Sequence, residues 1–231
     1  MKQLKFGCLL LLLGIAQLSY ASVITNGSFD NCSYSGWMKD TDGFGDISTQ
    51  NDFMLSAPPG CAAIVNVDNF NTDAWFANTL YQDINLQSGQ QYQFTAELSV
   101  NSELTSSDFG FIADYFFVAF GDGSGNYLDE SGALGSVLNA DIDGAASYSI
   151  DIMLSETLSS ISNLTLEFQL LIGFDQFGSD FGGSWLQIDN VAITPSNANM
   201  QVNAPSHALL IGLGLAGIFF VRKHRKSGGE Q

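Results

Sequence analysis

The residues best suited to chemistry in this chain are carboxylates, aromatics and two cysteines, because histidine is confined to the C-terminal tail. His207 and His224 are the only two. The region before them therefore has no Ser-His-Asp or Cys-His nucleophile system and no His-based zinc or iron site. Hydrolysis by a pair of carboxylates remains as an enzymatic option, since glycoside cleavage needs one carboxyl held protonated beside one that is ionised. Glu97 and Glu167 are the candidates. Both alternate with apolar neighbours and are expected on the polar, exposed faces of strands, where a raised pKa is not expected.

The aromatics offer binding chemistry instead. Phe174, Phe177, Phe181 and Trp185 are interleaved with Asp175, Asp180 and glycines. Such rings can stack on sugars while polar side chains hydrogen-bond hydroxyls, or can pack a long loop onto a core. The same two readings apply to Trp75, Phe76 and Tyr81. Asp122-Gly123-Ser124-Gly125-Asn126 begins like a calcium loop, but Ala133 occupies the position where an acidic ligand is required, so a tight turn is the expectation. Cys32 and Cys61, in an exported chain, read as a disulfide.

Positioning these residues calls for strands. Phe94, Ala96, Leu98 and Val100 alternate with Thr95, Glu97 and Ser99, the period of a half-buried strand. Ile150, Ile152 and Leu154 repeat the rule, as do Leu164, Leu166, Phe168 and Leu170. Two stretches, Tyr115 to Phe120 and Leu170 to Phe174, are apolar on both faces and read as central strands. Gly121 to Asn126 and Asp141 to Gly144 supply turns or corners. No long 3.6-residue period is present, so the fold class is all-β, a two-sheet antiparallel β-sandwich.

The flanks differ in character. Lys2 and Lys5 precede an apolar run from Leu9 to Ile15 and then Ser19-Tyr20-Ala21, the layout of a signal peptide over residues 1–21. The sandwich is expected over 22–196, a linker over 197–204 and a short hydrophobic helical tail over 205–231. The apolar stretch Ala208 to Val221 would give about 21 Å of helix against a hydrocarbon core of roughly 30 Å. It is followed by Arg222, Lys223, Arg225 and Lys226, which would hold that end in the cytoplasm. Taken by itself, such a segment is an ordinary short tail anchor.

The chain has 7 Lys and Arg against 24 Asp and Glu, a formal net charge of −17. Between residues 22 and 204 the one base is Lys39. Such a surface repels nucleic acid and anionic lipid. It suits solubility in salty surroundings or a divalent cation.

Two resemblances extend this reading. The tail, with Asn203-Ala204-Pro205-Ser206, a glycine-bearing apolar segment and the basic cluster, resembles the PEP-CTERM sorting tail, with Asn-Ala-Pro where that family has Pro-Glu-Pro. The resemblance implies an exosortase-like processing enzyme as partner, a stay in the inner membrane, and delivery to the cell surface or extracellular matrix. In the body, Ile24-Thr25-Asn26-Gly27-Ser28-Phe29-Asp30, Gly36-Trp37, Leu80 to Ile84, Gln91 to Phe94, and Trp185 to Thr194 with Ile188-Asp189-Asn190-Val191 form a familiar series. It resembles the galactose-binding-like jelly rolls that include many carbohydrate-binding modules. That implies a jelly roll, a structural calcium held partly by Asp30 and Asp189, and carbohydrate or exopolysaccharide as ligand. The function expected is non-enzymatic surface binding; the alternatives are a carboxylate-dependent glycoside hydrolase and a purely structural surface protein.

Overall fold

A computed structural model describes residues 22–47, 51–67, 73–102, 114–173 and 183–196. These belong to a unit that ends at Ser196. The expected leader, linker and tail, including the Asn203 to Ser206 motif, lie outside the described residues, as do Phe174, Phe177 and Phe181. Among the described residues, no helix is long and apolar enough to cross a membrane.

The architecture is the two-sheet antiparallel sandwich. Among the described residues eleven strands run in order: β1 (Met38–Thr41), β2 (Phe53–Leu55), β3 (Ala63–Val67), β4 (Ala77–Asp83), β5 (Tyr92–Ser102), β6 (Tyr115–Gly121), β7 (Tyr127–Leu128), β8 (Leu138–Asp141), β9 (Ala146–Leu154), β10 (Thr165–Leu171) and β11 (Ser184–Pro195). The first sheet has the order β1-β4-β10-β6-β7, with β8 also on β6; the second is β2-β3-β11-β5-β9. From β3 onward the chain crosses between sheets at every connection except those joining β6, β7 and β8, so most neighbouring strands are distant in sequence. A short 3-10 turn, Glu156–Ser160, buries Leu158.

The alternation read from the sequence is the core. Phe94, Ala96, Leu98 and Val100 of β5 meet Leu80, Leu166, Phe168, Leu170, Phe116, Val118 and Phe120 from the other sheet, all buried. Phe29, Phe94, Phe116, Phe120 and Phe168 are fully enclosed, and truncating any one to alanine costs about 3–5 kcal/mol. Strand β6 is flanked on both sides, as its two-sided apolar character predicted, and β10, read from its alternation as half-buried, is flanked as well. The expected central run through Phe174 is shorter: β10 stops at Leu171, with Ile172 and Gly173 continuing as loop.

The opening motif is a staple. Gly27 is needed because a Cβ there would fall 1.8 Å from the Val191 carbonyl oxygen, while the Val191 N–H donates to the Gly27 carbonyl at 2.9 Å. Phe29 packs on Trp37 with ring centroids 5.4 Å apart, and Trp37 reaches Phe168. Gln82 exchanges two hydrogen bonds with the backbone of Thr25. The Cys32–Cys61 disulfide closes the same region. These motif residues hold the N-terminal segment across the sandwich.

Candidate functional site

The outer face of the first sheet is where register gathers chemistry. Strand pairing lines up Asp40, Thr79, Gln169, Phe117 and Asn139 across five strands. The next row is Met38, Tyr81, Glu167 and Ala119. Beyond it lie Thr165, Gly121 and Tyr127. Side chains at alternate positions share a face, so these rows form one surface opposite the core.

Two small residues cut a notch in it. Ala119 is followed two positions later by Gly121, where an added Cβ would come within 2.3 Å of both Glu167 Oε1 and Thr165 Oγ1. The space admits the Glu167 carboxylate and lets Tyr127, on the two-residue strand β7, lean back across the sheet. Tyr127 packs edge-on against Phe117 with centroids 4.9 Å apart. Its hydroxyl accepts from Gln169 Nε2 at 2.6 Å. The same nitrogen donates to Glu167 Oε2 at 3.1 Å, and Thr165 Oγ1 donates to Glu167 Oε1 at 2.7 Å. A carboxylate only accepts, so the orientation of the Gln169 amide is forced by its neighbour.

A groove runs over this surface. Its larger part, 760 Å³, is floored by Tyr115, Phe117 and Tyr127 and edged by Asn126, Leu134, Ser136, Asn139 and Asp141. Its smaller part, 260 Å³, is bounded by Asp40, Asp42, Phe76, Thr79, Tyr81, Glu167 and Gln169, and Tyr127 borders both parts. Burial raises the Tyr127 hydroxyl pKa, opposed by the Gln169 hydrogen bond and reinforced by the charges of Glu167 and Asp40. Burial likewise raises that of Tyr81, with Asp40, Asp83 and Glu167 adding to it. Both phenols stay protonated at neutral pH.

One end of the groove is fixed by Asp42. Its carboxylate accepts from the backbone N–H groups of Trp75, Phe76 and Ala77 at 2.6–2.9 Å. This holds Phe76, 61% exposed, at the groove margin and Trp75, 75% exposed, beside it. The sequence left packing or stacking open for these two; they project from the surface and are not packed into the core.

The other sequence candidates are dispersed. Trp185 is half-buried on the outer face of the second sheet, opposite Asn66 and Asn101, and so lies across the sandwich from the groove. Glu97 is exposed on that same outer face, whereas Glu167 is on the outer face of the first sheet. With two sheets about 10 Å apart between them, they cannot flank one glycosidic bond, for which carboxyl separations of about 5–9.5 Å are needed. Glu167 also departs from the exposed position expected of it, being half-buried and hydrogen-bonded.

Asp122 forms the expected turn: its carboxylate accepts from the Ser124 and Asn126 N–H groups and from Asn126 Nδ2. These bonds, led by the Asn126 side chain, lower its pKa.

Asp30 is exposed, and Asp189 stands at an irregularity in β11, cross-strand from Glu97. Burial raises the Asp189 pKa and the charges of Asp30 and Glu97 add to it, against the Asn190 N–H that lowers it. The two predicted calcium ligands therefore lie within electrostatic reach of each other. Among the described residues, no group of three or more His, Cys, Asp or Glu has a metal-holding arrangement, so a cation there would draw on backbone carbonyls and water as well.

No protein-family model and no curated protein matches the chain. Solved structures do. A CBM61 carbohydrate-binding module in complex with β-1,4-galactotriose is similar over 76% of this chain and 99% of its own, at 11% identity and TM-score 0.46. A CBM27 carbohydrate-binding module that recognises mannan matches 77% of this chain and 96% of its own, at 10% identity and TM-score 0.41. The enzymatically active domain of tailspike protein 4 of bacteriophage CBA120 matches 76% of this chain but 21% of its own, at 14% identity and TM-score 0.41.

Proposed function

We propose that this protein is a non-enzymatic glycan-binding module whose ligand lies along the outer face of the first sheet. The observation that carries the reading is the groove itself, in which Tyr81, Phe117 and Tyr127 present rings between the amides and carboxylates of Gln169, Asn139, Asp40 and Glu167. Apolar ring faces with a few fixed polar groups are what a sugar's alternating C–H and O–H faces require. Glu167 spends its oxygens on Thr165 and Gln169, a positioning role that leaves it poorly placed to protonate a leaving group.

Asp30 and Asp189 belong to the same reading as contributors to a structural calcium, whose charge would offset their mutual repulsion and that of Glu97. On the sequence of its ends, the protein reaches the cell surface or extracellular matrix through a leader at 1–21 and a PEP-CTERM-like tail cut near Asn203 to Ser206 by an exosortase-like enzyme. Intact mass and membrane fractionation, with and without that enzyme, tests the delivery; a full tail retained in the membrane under both conditions contradicts it.

The binding claim is tested by affinity electrophoresis through polysaccharide gels. Tyr127→Ala and Tyr81→Ala should each weaken retention roughly tenfold, the loss of one well-packed ring contact, while Trp185→Ala leaves it unchanged. Retention that depends on Trp185 and not on Tyr127 would move the site to the other sheet.

A further inference from the structure

The charged groups bordering the groove are all acidic: Asp40, Asp42, Asp141 and Glu167. The loops outside the described residues cannot change this, because Lys39 is the one base between residues 22 and 204. Lys39 is committed elsewhere. Its ammonium pairs with Asp46 at 3.6 Å and lies over the rings of Tyr34 and Phe53.

Hydrogen-bond polarity points the same way. Gln169 Nε2 has both protons spent, one on Tyr127 and one on Glu167. The Tyr127 oxygen is thereby an acceptor towards Gln169, which leaves its own proton to be donated to another acceptor. Beside hydroxyls and amides that both donate and accept, on Thr79, Tyr81, Ser136 and Asn139, the groove carries the acceptor-only carboxylates of Asp40 and Asp141 and the Gln169 carbonyl. Those carboxylates call for a ligand's hydroxyl donors, which a neutral polyol presents and the acceptor-only oxygens of a carboxylate, sulfate or phosphate do not.

From these two observations we infer that the groove selects uncharged glycans and rejects polyanionic ones; this rests on the glycan reading of the groove given above. A bound acidic sugar would place its charge beside several carboxylates with no basic side chain of the described residues free to answer it, in a site where burial first and the neighbouring carboxylates second already disfavour ionisation of Tyr81 and Tyr127. Such like-charge juxtaposition discriminates by repulsion, not by fit.

The test uses polymers matched in backbone and differing in charge: hydroxyethylcellulose against carboxymethylcellulose, dextran against dextran sulfate, and galactan against polygalacturonate. The protein is run through gels of each at low salt, at about 0.3 M salt, where screening is strong, and with added calcium. The neutral member of at least one pair should retard the protein, and its charged partner at least tenfold less, with the gap narrowing in salt. Asp40→Asn combined with Glu167→Gln should restore part of the binding to the charged partner, an effect that a loss of packing would not produce. Equal or stronger binding of the charged partner overturns the inference, as does calcium-dependent binding of it or a neutral preference that survives Tyr127→Ala. Retention by no polymer at all would overturn the glycan reading itself, which separates the two failures.

Discussion

Asp52 gives a prediction whose sign and size follow from its surroundings. It has no exposed surface, precedes β2, and receives the Asp73 N–H at 3.3 Å on each oxygen. Burial raises its pKa from 3.8 to about 6, the Asp73 N–H works against this, and the charges of Asp73, Asp42 and Asp46 add to the rise. The folded state therefore binds a proton more tightly than the unfolded chain does. The stability contributed is fully present below pH 3.8 and is lost as pH rises through about 6. At neutral pH the ionised carboxylate costs about 3 kcal/mol on that shift, and relaxation around the charge brings this to about 1–2 kcal/mol. Asp52→Asn keeps an oxygen for Asp73 and removes the charge. Thermal unfolding should show a gain of roughly 2–8 °C near neutral pH for a domain of this size, shrinking to nothing below pH 3.8. A gain that is independent of pH, or a loss at neutral pH, would refute the reasoning.

Three other outcomes are expected. Removing the Cys32–Cys61 bridge, with sequence separation 29, should cost about 3.5 kcal/mol by freeing the unfolded chain, a fall in Tm of roughly 7–14 °C; an unchanged Tm on reduction would contradict it. Calcium at about 100 times its Kd should add about 2.7 kcal/mol, an effect absent in Asp189→Asn; equal Tm values in calcium and in chelator would remove the calcium proposal. Gly121→Ala should displace Glu167 and Thr165 from the notch and abolish glycan retention more completely than it lowers Tm, and normal retention would show that the network does not shape the site.

The sandwich was legible because its core strands carry an unbroken period of two: Phe94 to Val100 and Leu164 to Leu170 could not alternate so cleanly in a helix. The disulfide and the Asp122 turn were also readable, being short-range or limited to one pairing. The groove was not. Asp40, Tyr81, Phe117, Tyr127 and Gln169 come from five strands, and their meeting depends on register, which hydrophobic pattern fixes only in parity. In the sequence Ala119 is one small residue of an apolar run and Gly121 opens a turn-like stretch, although the smallness of Gly121 is what admits Glu167. Aromatic density instead drew attention to the segment ending at Trp185, a residue that the second sheet turns outward on the far side. Glu97 and Glu167 looked equivalent in sequence because each alternates correctly, and only the sheet order sets them on opposite faces.

The most direct measurement is a crystal structure of the domain with the oligosaccharide it retains most strongly. Sugar rings lying against Tyr81, Phe117 and Tyr127, with a hydroxyl accepting from the Tyr127 proton, are the predicted result. Ligand beside Trp185 on the second sheet, with the first sheet bare, would contradict the account.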